Sequence, residues 1–287
     1  MPVATLDFTS RGRKLRMQMD LDAARANEAS IIKFLERGRH YEPDVSLMMC
    51  QIVDAGDVVI DVGANAGFFT ALLGVLAGPE GRVVSFEPGA NNLPRLKNNI
   101  ALNNLENVML IEQPASNMPG EVIFFINSDD SGGNALWDVA TFPGNVKSAA
   151  APQKVTMRAT TLDAEIERLG LAIPKLIKID VEGAEVQVLL GASKMLTGCK
   201  VPFVICEYHP FGLDQMGTSA QTLRSFMESL GYSTFAMYYD GAMPKLIPPG
   251  TALALPSIVN VLFSTPAAVA RVWSTYFHHP GLVHPKS

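Results

Sequence analysis

A formal net charge of −5 over 287 residues argues against a nucleic-acid surface as the main partner and suits a small or neutral ligand. Hydrophobic residues make up 48% of the chain, enough for one large α/β domain or two small ones, yet no apolar run approaches the length that spans a bilayer. Three scattered cysteines, Cys50, Cys199 and Cys206, form neither a disulfide framework nor a zinc motif, so a reducing cytoplasm is expected.

The first 20 residues lack the apolar segment of a signal peptide. They carry Arg11, Arg13, Lys14 and Arg16, which reads as a solvated basic arm or an edge hairpin. Residues 21–37 look helical, with Ile31, Ile32, Phe34 and Leu35 on one face. His40-Tyr41-Glu42-Pro43 breaks that helix. Asp44 can cap a second helix running to residue 53, with Met48, Met49 and Ile52 inward. These two helices are expected to lie against a ligand crevice, as a lid or an edge support. Residues 1–43 read as an extension and 44–287 as the main domain.

Residues 58–88 are the centre of the pattern. Val58, Val59 and Ile60 make a short apolar strand of the kind buried on both faces. Gly63 and Gly67 bracket a sharp turn, and residues 68–77 form a helix that is apolar nearly all round. Residues 82–86 are the next strand, and Glu87 stands at its carboxyl end, 87 − 61 = 26 residues after Asp61. This is half of a nucleotide-binding α/β sheet, with Glu87 spaced to accept hydrogen bonds from a ribose diol. The loop is D-x-G-x-N-x-G rather than the dinucleotide G-x-G-x-x-G. Asn65 replaces the close-approach glycine, and Asp61 would bring a carboxylate near phosphates. A phosphate-free ligand with a cationic centre fits better. S-adenosylmethionine offers a ribose to Glu87, an ammonium and a sulfonium to Asp61, and a carboxylate to the loop amides. An NAD-dependent oxidoreductase and a non-catalytic binding protein that keeps the cofactor fold stand as alternatives.

A helix is expected over 91–102 and a strand over 108–111, followed by Pro114-Ala115-Ser116 at a place suited to an adenine. After a strand over 121–126, residues 127–153 show no periodicity and read as a long loop whose Trp137 and Phe142 are placed to cover a substrate. Strand 154–159 and a helix to residue 169 return to the domain. Strand 175–181 ends in Asp180 and Glu182-Gly183-Ala184-Glu185. Strand 201–208 ends in Glu207-Tyr208-His209-Pro210. A helix over 218–230 stops at Gly231. Strands over 232–238 and 257–264 are expected as an antiparallel pair at one sheet edge. The tail histidines His278, His279 and His284 sit among Pro and Gly and suggest no metal role.

Four strings stand together in order: Tyr41-Glu42-Pro43, I-D-V-G-A-N-A-G-F from Ile60, F-E-P from Phe86, and K-I-D-V-E-G-A-E from Lys178. The set resembles the FkbM-type S-adenosylmethionine-dependent methyltransferases. The resemblance implies an α/β class I methyltransferase fold, a Rossmann-like three-layer sandwich on a seven-stranded, mostly parallel sheet with an antiparallel last strand. It implies methyl transfer, usually to an oxygen of a sugar or secondary metabolite, with S-adenosylmethionine as donor. Carried over, Asp61, Gly63, Asn65 and Gly67 line the methionine part, Glu87 holds the ribose, and Ala115 and Ser116 lie near the adenine. Glu42, Ala64 and Pro88 fall within the matching strings and join the cofactor set, and Asp180 stands at the crevice.

An alcohol acceptor must lose a proton. Asp180, Glu182, Glu207 and His209 are the candidate bases at adjacent strand ends, His209 foremost because an unperturbed imidazole titrates near pH 6.5. Glu185 reads as a carboxylate complementing its helix N-terminus. The set lacks the Asp-Asp-Asn pattern of magnesium-dependent O-methyltransferases, so no metal is expected. A small-molecule or glycan acceptor is expected, and no membrane partner. Homo-oligomerisation is left open.

Overall fold

The computed structural model describes residues 3–251, 253 and 257–274. A hairpin opens the chain, β1 (Ala4–Ser10) and β2 (Arg13–Met19), followed by helices α1 (Ala26–Leu35) and α2 (Pro43–Ile52). The first αβ half then runs β3 (Val58–Val62), α3 (Phe68–Ala77), β4 (Arg82–Phe86), α4 (Leu93–Leu102) and β5 (Val108–Ile111). A second hairpin, β6 (Gly120–Ile126) and β7 (Gln153–Ala159), encloses a short helix α5 (Val146–Ala150). The second half runs α6 (Leu162–Leu169), β8 (Leu176–Ile179), α7 (Glu185–Leu190), α8 (Ser193–Leu196), β9 (Phe203–Tyr208), α9 (Pro210–Gln215) and α10 (Ala220–Ser229). The described chain closes with β10 (Ser233–Ala236), β11 (Lys245–Ile247), β12 (Val259–Ser264) and α11 (Pro266–Ser274).

The central sheet has the order β11-β10-β12-β9-β8-β3-β4-β5. Strands β9, β8, β3, β4 and β5 are mutually parallel, and β12 is antiparallel to both its neighbours. The α/β class and the antiparallel last strand match the expectation. The strand count does not: among the described residues the sheet has eight strands, because the short β11 adds to β10 at the edge (Thr234↔Ile247). The expected edge pair does form, but β12 lies inside, between β10 and β9.

Alternation along β3 feeds two cores. Val59 packs with α2 and α3, through Met48, Met49, Ile52, Leu72 and Leu76. Ile60 and Val62 pack on the other face with Val188, Leu189, Leu223 and Met227. The sheet is therefore the middle of three layers. The N-terminal segment is a hairpin of its own rather than a solvated arm or a strand at the edge of the main sheet. Leu6, Met17 and Met19 are buried in the core beneath α3. Its arginines have partners: Arg11 pairs with Asp54 at 2.9 Å, Arg13 donates to the Leu76 carbonyl at 2.6 Å and Arg16 to Asp7 at 2.7 Å.

The aperiodic stretch after β6 is folded by side-chain-to-backbone bonds. Asn127 Oδ1 accepts from the amides of Asp129 and Asp130, Asn134 Oδ1 from Asn127, and Asp129 from Lys147 and Ser148. Ala135, Trp137 and Val139 form a small buried cluster with Phe142 and Phe211 packed on it. His278, His279 and His284 lie outside the described residues. Among the described residues no helix is long and apolar enough to cross a membrane.

Candidate functional site

The sheet order reverses between β3 and β8, where an open parallel sheet leaves a crevice at its carboxyl edge. A cavity of about 400 Å³ lies there, floored by the β3–α3 loop and roofed by the segment between β6 and β7.

The loop is built by backbone constraint. Gly63 has φ 86°, and a Cβ there would stand 1.7 Å from the Asp180 carbonyl oxygen. Only glycine lets β3 and β8 deliver their ends this close. Asn65, at φ 52°, is a residue type that tolerates the left-handed region. Its amide donates to Glu87 Oε2 at 2.7 Å, while Gly89 N donates to Glu87 Oε1 at 2.7 Å. Glu87 is thus fixed at the tip of β4 facing the cavity, with lone pairs left for a diol. Burial raises its pKa to about 7, against those hydrogen bonds, which lower it.

Glu42, Gly63, Ala64, Asn65, Glu87, Pro88, Ala115 and Asp180 all line this cavity. Glu42 does so from a left-handed conformation (φ 39°) at the N-cap of α2, just before Pro43. Three residues assigned to the cofactor from sequence do not reach the wall. Asp61 is fully buried on the sheet face it shares with its register partner Lys178, and Thr70 Oγ1 donates to it at 2.6 Å. Gly67 caps α3 and packs under Leu96. Ser116 lies just past the wall, its amide bonded to Thr160 O.

The other end of the cavity is acidic. Lys178, on β8 and 2% exposed, holds Asp180 Oδ2 at 2.9 Å, with Asp61 Oδ1 at 3.9 Å and the Phe69 ring 4.6 Å below. Burial opposes the ammonium charge, but Asp180, Asp61 and Glu42 outweigh it and drive its pKa up. Glu182 follows at φ 58°, and Gly183 at φ 109° crosses so close to Gly212 that a Cβ would lie 2.2 Å from it. This crossing sets Glu182 beside His209, with His209 Nε2 3.3 Å from Glu182 Oε2.

His209 is not the open base that its residue type suggests. It is the N-cap of α9, and its Nδ1 accepts the Gly212 amide at 2.8 Å. The proton of the neutral ring therefore sits on Nε2, the nitrogen that lies 3.3 Å from Glu182 Oε2. Burial lowers the imidazole pKa and keeps the ring neutral. Glu182, held from one side, presents its remaining lone pairs to the cavity. Burial, then Asp180, Glu185 and Asp130, push its pKa well up. Glu207, from the end of β9, is shifted the same way by burial and by Asp180 and Glu182. Glu185 turns back to accept the amides of Gly183 (2.9 Å) and Val181 (3.3 Å), a capping role outside the cavity.

Trp137 and Phe142 roof this end, with the indole 6.4 Å and the phenyl 6.1 Å from the His209 ring. Trp137 Nε1 donates to the Glu182 carbonyl at 2.5 Å. Sequence reasoning gave no role to Lys178, Asn27 or Asn92, which also line the cavity. For Lys178 the signal was a lysine inside an apolar strand, two residues from Asp180. For the two asparagines nothing local marked them.

Comparison with known proteins follows the same lines. The profile of the methyltransferase FkbM domain matches residues 61–234, more than half of the chain. The hexuronic acid methyltransferase AglP of Haloferax volcanii is 26% identical over 170 residues, covering 58% of this chain and 62% of that relative. The chain therefore spans about six-tenths of the length of this curated relative. Among solved structures, precorrin-6y C5,15-methyltransferase from Geobacter metallireducens aligns at 14% identity over 79% of this chain and 89% of that one, with a TM-score of 0.43. A SAM-dependent methyltransferase from Aquifex aeolicus aligns at 12% identity over 85% and 98%, also with a TM-score of 0.43.

Proposed function

The chain belongs to the FkbM methyltransferase family, and from that premise we propose that it moves the methyl group of S-adenosylmethionine to a hydroxyl oxygen of a small metabolite or sugar. Family membership sets aside the dinucleotide reading. The donor's ribose is read by Glu87, its adenine lies by Pro114 and Ala115, and its cationic end faces Asp180 and Glu42.

The observation that carries the reaction is the fixed pair of Glu182 and His209 under the aromatic roof. The sulfonium methyl is already activated, so alignment of the hydroxyl with the carbon–sulfur bond supplies much of the barrier reduction. The C–O bond forms as the C–S bond breaks, and the hydroxyl proton passes to Glu182. His209 orients that carboxylate through its Nε2 proton. A base so placed contributes roughly 10²–10⁴-fold.

The acceptor end favours a hydroxyl over a carboxylate. Asp130, Asp180, Glu182 and Glu207 line it, and its lysine, Lys178, is already bonded to Asp180. An acceptor bearing its own carboxylate would find Lys178 already paired with Asp180. The extension works with the main domain, since Asn27, Ile31, Tyr41 and Glu42 complete the cavity wall. The three unpaired cysteines suit a cytoplasmic setting.

Methyl-labelled S-adenosylmethionine offered with neutral sugars, hexuronic acids and amines tests the reading. A methyl ether on a neutral sugar or metabolite is the expected product, identified by mass and NMR. A methyl ester on a hexuronic acid or an N-methyl product would overturn it.

A further inference from the structure

One carboxylate oxygen each from Asp180, Glu182 and Glu207 lie within 4.8 Å of one another at the acceptor end of the cavity. Carboxyl groups also gather where no ion binds, so proximity alone would not name a ligand. Glu207 supplies the second observation. It is 9% exposed, it lines the cavity, and its buried Oε2 has no hydrogen-bond partner among the described residues. A buried carboxylate oxygen left unsatisfied is costly, and the same side chain offers an oxygen to the cluster with Asp180 and Glu182. The neighbouring cations are committed elsewhere. Lys178 holds Asp180 Oδ2, which leaves Oδ1, and the His209 ring, 3.3 Å from Glu182, is held by the Gly212 amide.

We propose that Asp180, Glu182 and Glu207 form a binding site for one hard divalent cation, of the magnesium, manganese or calcium class. The inference rests on the methyltransferase reading of the same cavity. An all-oxygen ligand set selects such ions over soft ones. They bind oxygens at about 2.0–2.6 Å, so two ligand oxygens on one ion stand up to about 5 Å apart. The observed cluster falls inside that span, and one oxygen from each residue leaves at least three positions of a six-coordinate ion for water or the acceptor. An ion held there would polarise an acceptor hydroxyl bound beside it and ease loss of its proton to Glu182. The ion is unchanged by the reaction; the methyl group, the C–S electron pair and one proton are all that move. Its ligands come from the turn after β8 and from the end of β9.

The test is titration of Mn²⁺ alone into the full chain, followed by electron paramagnetic resonance, with S-adenosylmethionine binding measured calorimetrically on the same preparations. One saturable Mn²⁺ site, displaced by Mg²⁺ and weakened at least 10-fold in Glu207→Gln, is expected. S-adenosylmethionine affinity should stay within a few-fold of the parent in that variant. Absence of a saturable site, or undiminished binding in Glu207→Gln, overturns the proposal. If Glu207→Gln does not fold, Glu182→Gln decides on the same criterion. A chain that binds S-adenosylmethionine but no Mn²⁺ loses the ion site alone, whereas one that binds no S-adenosylmethionine loses the underlying reading.

Discussion

The indole Nε1 of Trp137 donates to the main-chain carbonyl of Glu182 at 2.5 Å, tying the roof of the cavity to the carboxylate-bearing turn beneath it. Glu182 sits in a left-handed conformation (φ 58°) that costs a non-glycine residue free energy unless its surroundings hold it. Trp137→Phe keeps a ring in the roof and removes the donor. The Michaelis constant for the acceptor should rise and kcat should fall, together by roughly 3- to 10-fold, the scale of one hydrogen bond. S-adenosylmethionine affinity should hold. Steady-state kinetics with each substrate varied in turn checks this, and a loss confined to S-adenosylmethionine would contradict it.

Glu182 and His209 should separate in a pH profile. Glu182→Gln removes the base and should lower kcat by about 10²–10⁴-fold with little change in donor affinity. His209→Asn retains an N-cap acceptor for Gly212 but loses the Nε2 donation to Glu182. A donated hydrogen bond favours the ionised carboxylate, so its loss should move the acidic limb of kcat/KM to higher pH. An unmoved limb would remove His209 from this positioning role.

Gly63→Ala places a methyl 1.7 Å from the Asp180 carbonyl oxygen at a backbone φ of 86°. Both strain and clash act, and the expected loss is about 2–4 kcal/mol by denaturant unfolding. Parental stability in this variant would mean that the β3 and β8 ends are not in contact.

Stability should also follow pH. Burial raises Glu42, Glu87 and Glu185 to about 7 from the ordinary carboxylate range. The folded chain therefore holds protons that the unfolded chain has already lost. The resulting stabilisation is complete below about pH 4 and is lost as pH rises through 7. The melting temperature of the ligand-free chain should fall between pH 5 and 8, by roughly 5 °C for about 2 kcal/mol lost. S-adenosylmethionine, by placing positive charge beside Glu42 and Asp180, should flatten that fall. A melting temperature that climbs over the same range would contradict the burial of these groups.

Much of the αβ half was legible because its signals are local. The apolar run into Gly63, the helix from Phe68 and the acid at Glu87 each declare themselves within a few residues. The site residues that went astray depend on facing and partners. Asp61 reads from its string as cofactor-lining, but it is fully buried, accepting from Thr70 with Lys178 3.9 Å away. His209 was read as a base from its residue type, and only the Gly212 amide on Nδ1 shows which nitrogen carries the proton. The segment after β6 lacks periodicity because asparagine and aspartate side chains, rather than an apolar stripe, hold it. Strand β11, only three residues long, has too little pattern to be seen before β10 is in place.

Calorimetric titration of S-adenosylmethionine into the full chain, parent against Glu87→Gln, tests the central claim most directly. Saturable binding of one equivalent is expected, weakened in the variant by roughly 1–3 kcal/mol, or about 5- to 150-fold. No binding to the parent, or equal affinity in the variant, would contradict a donor site organised by Glu87.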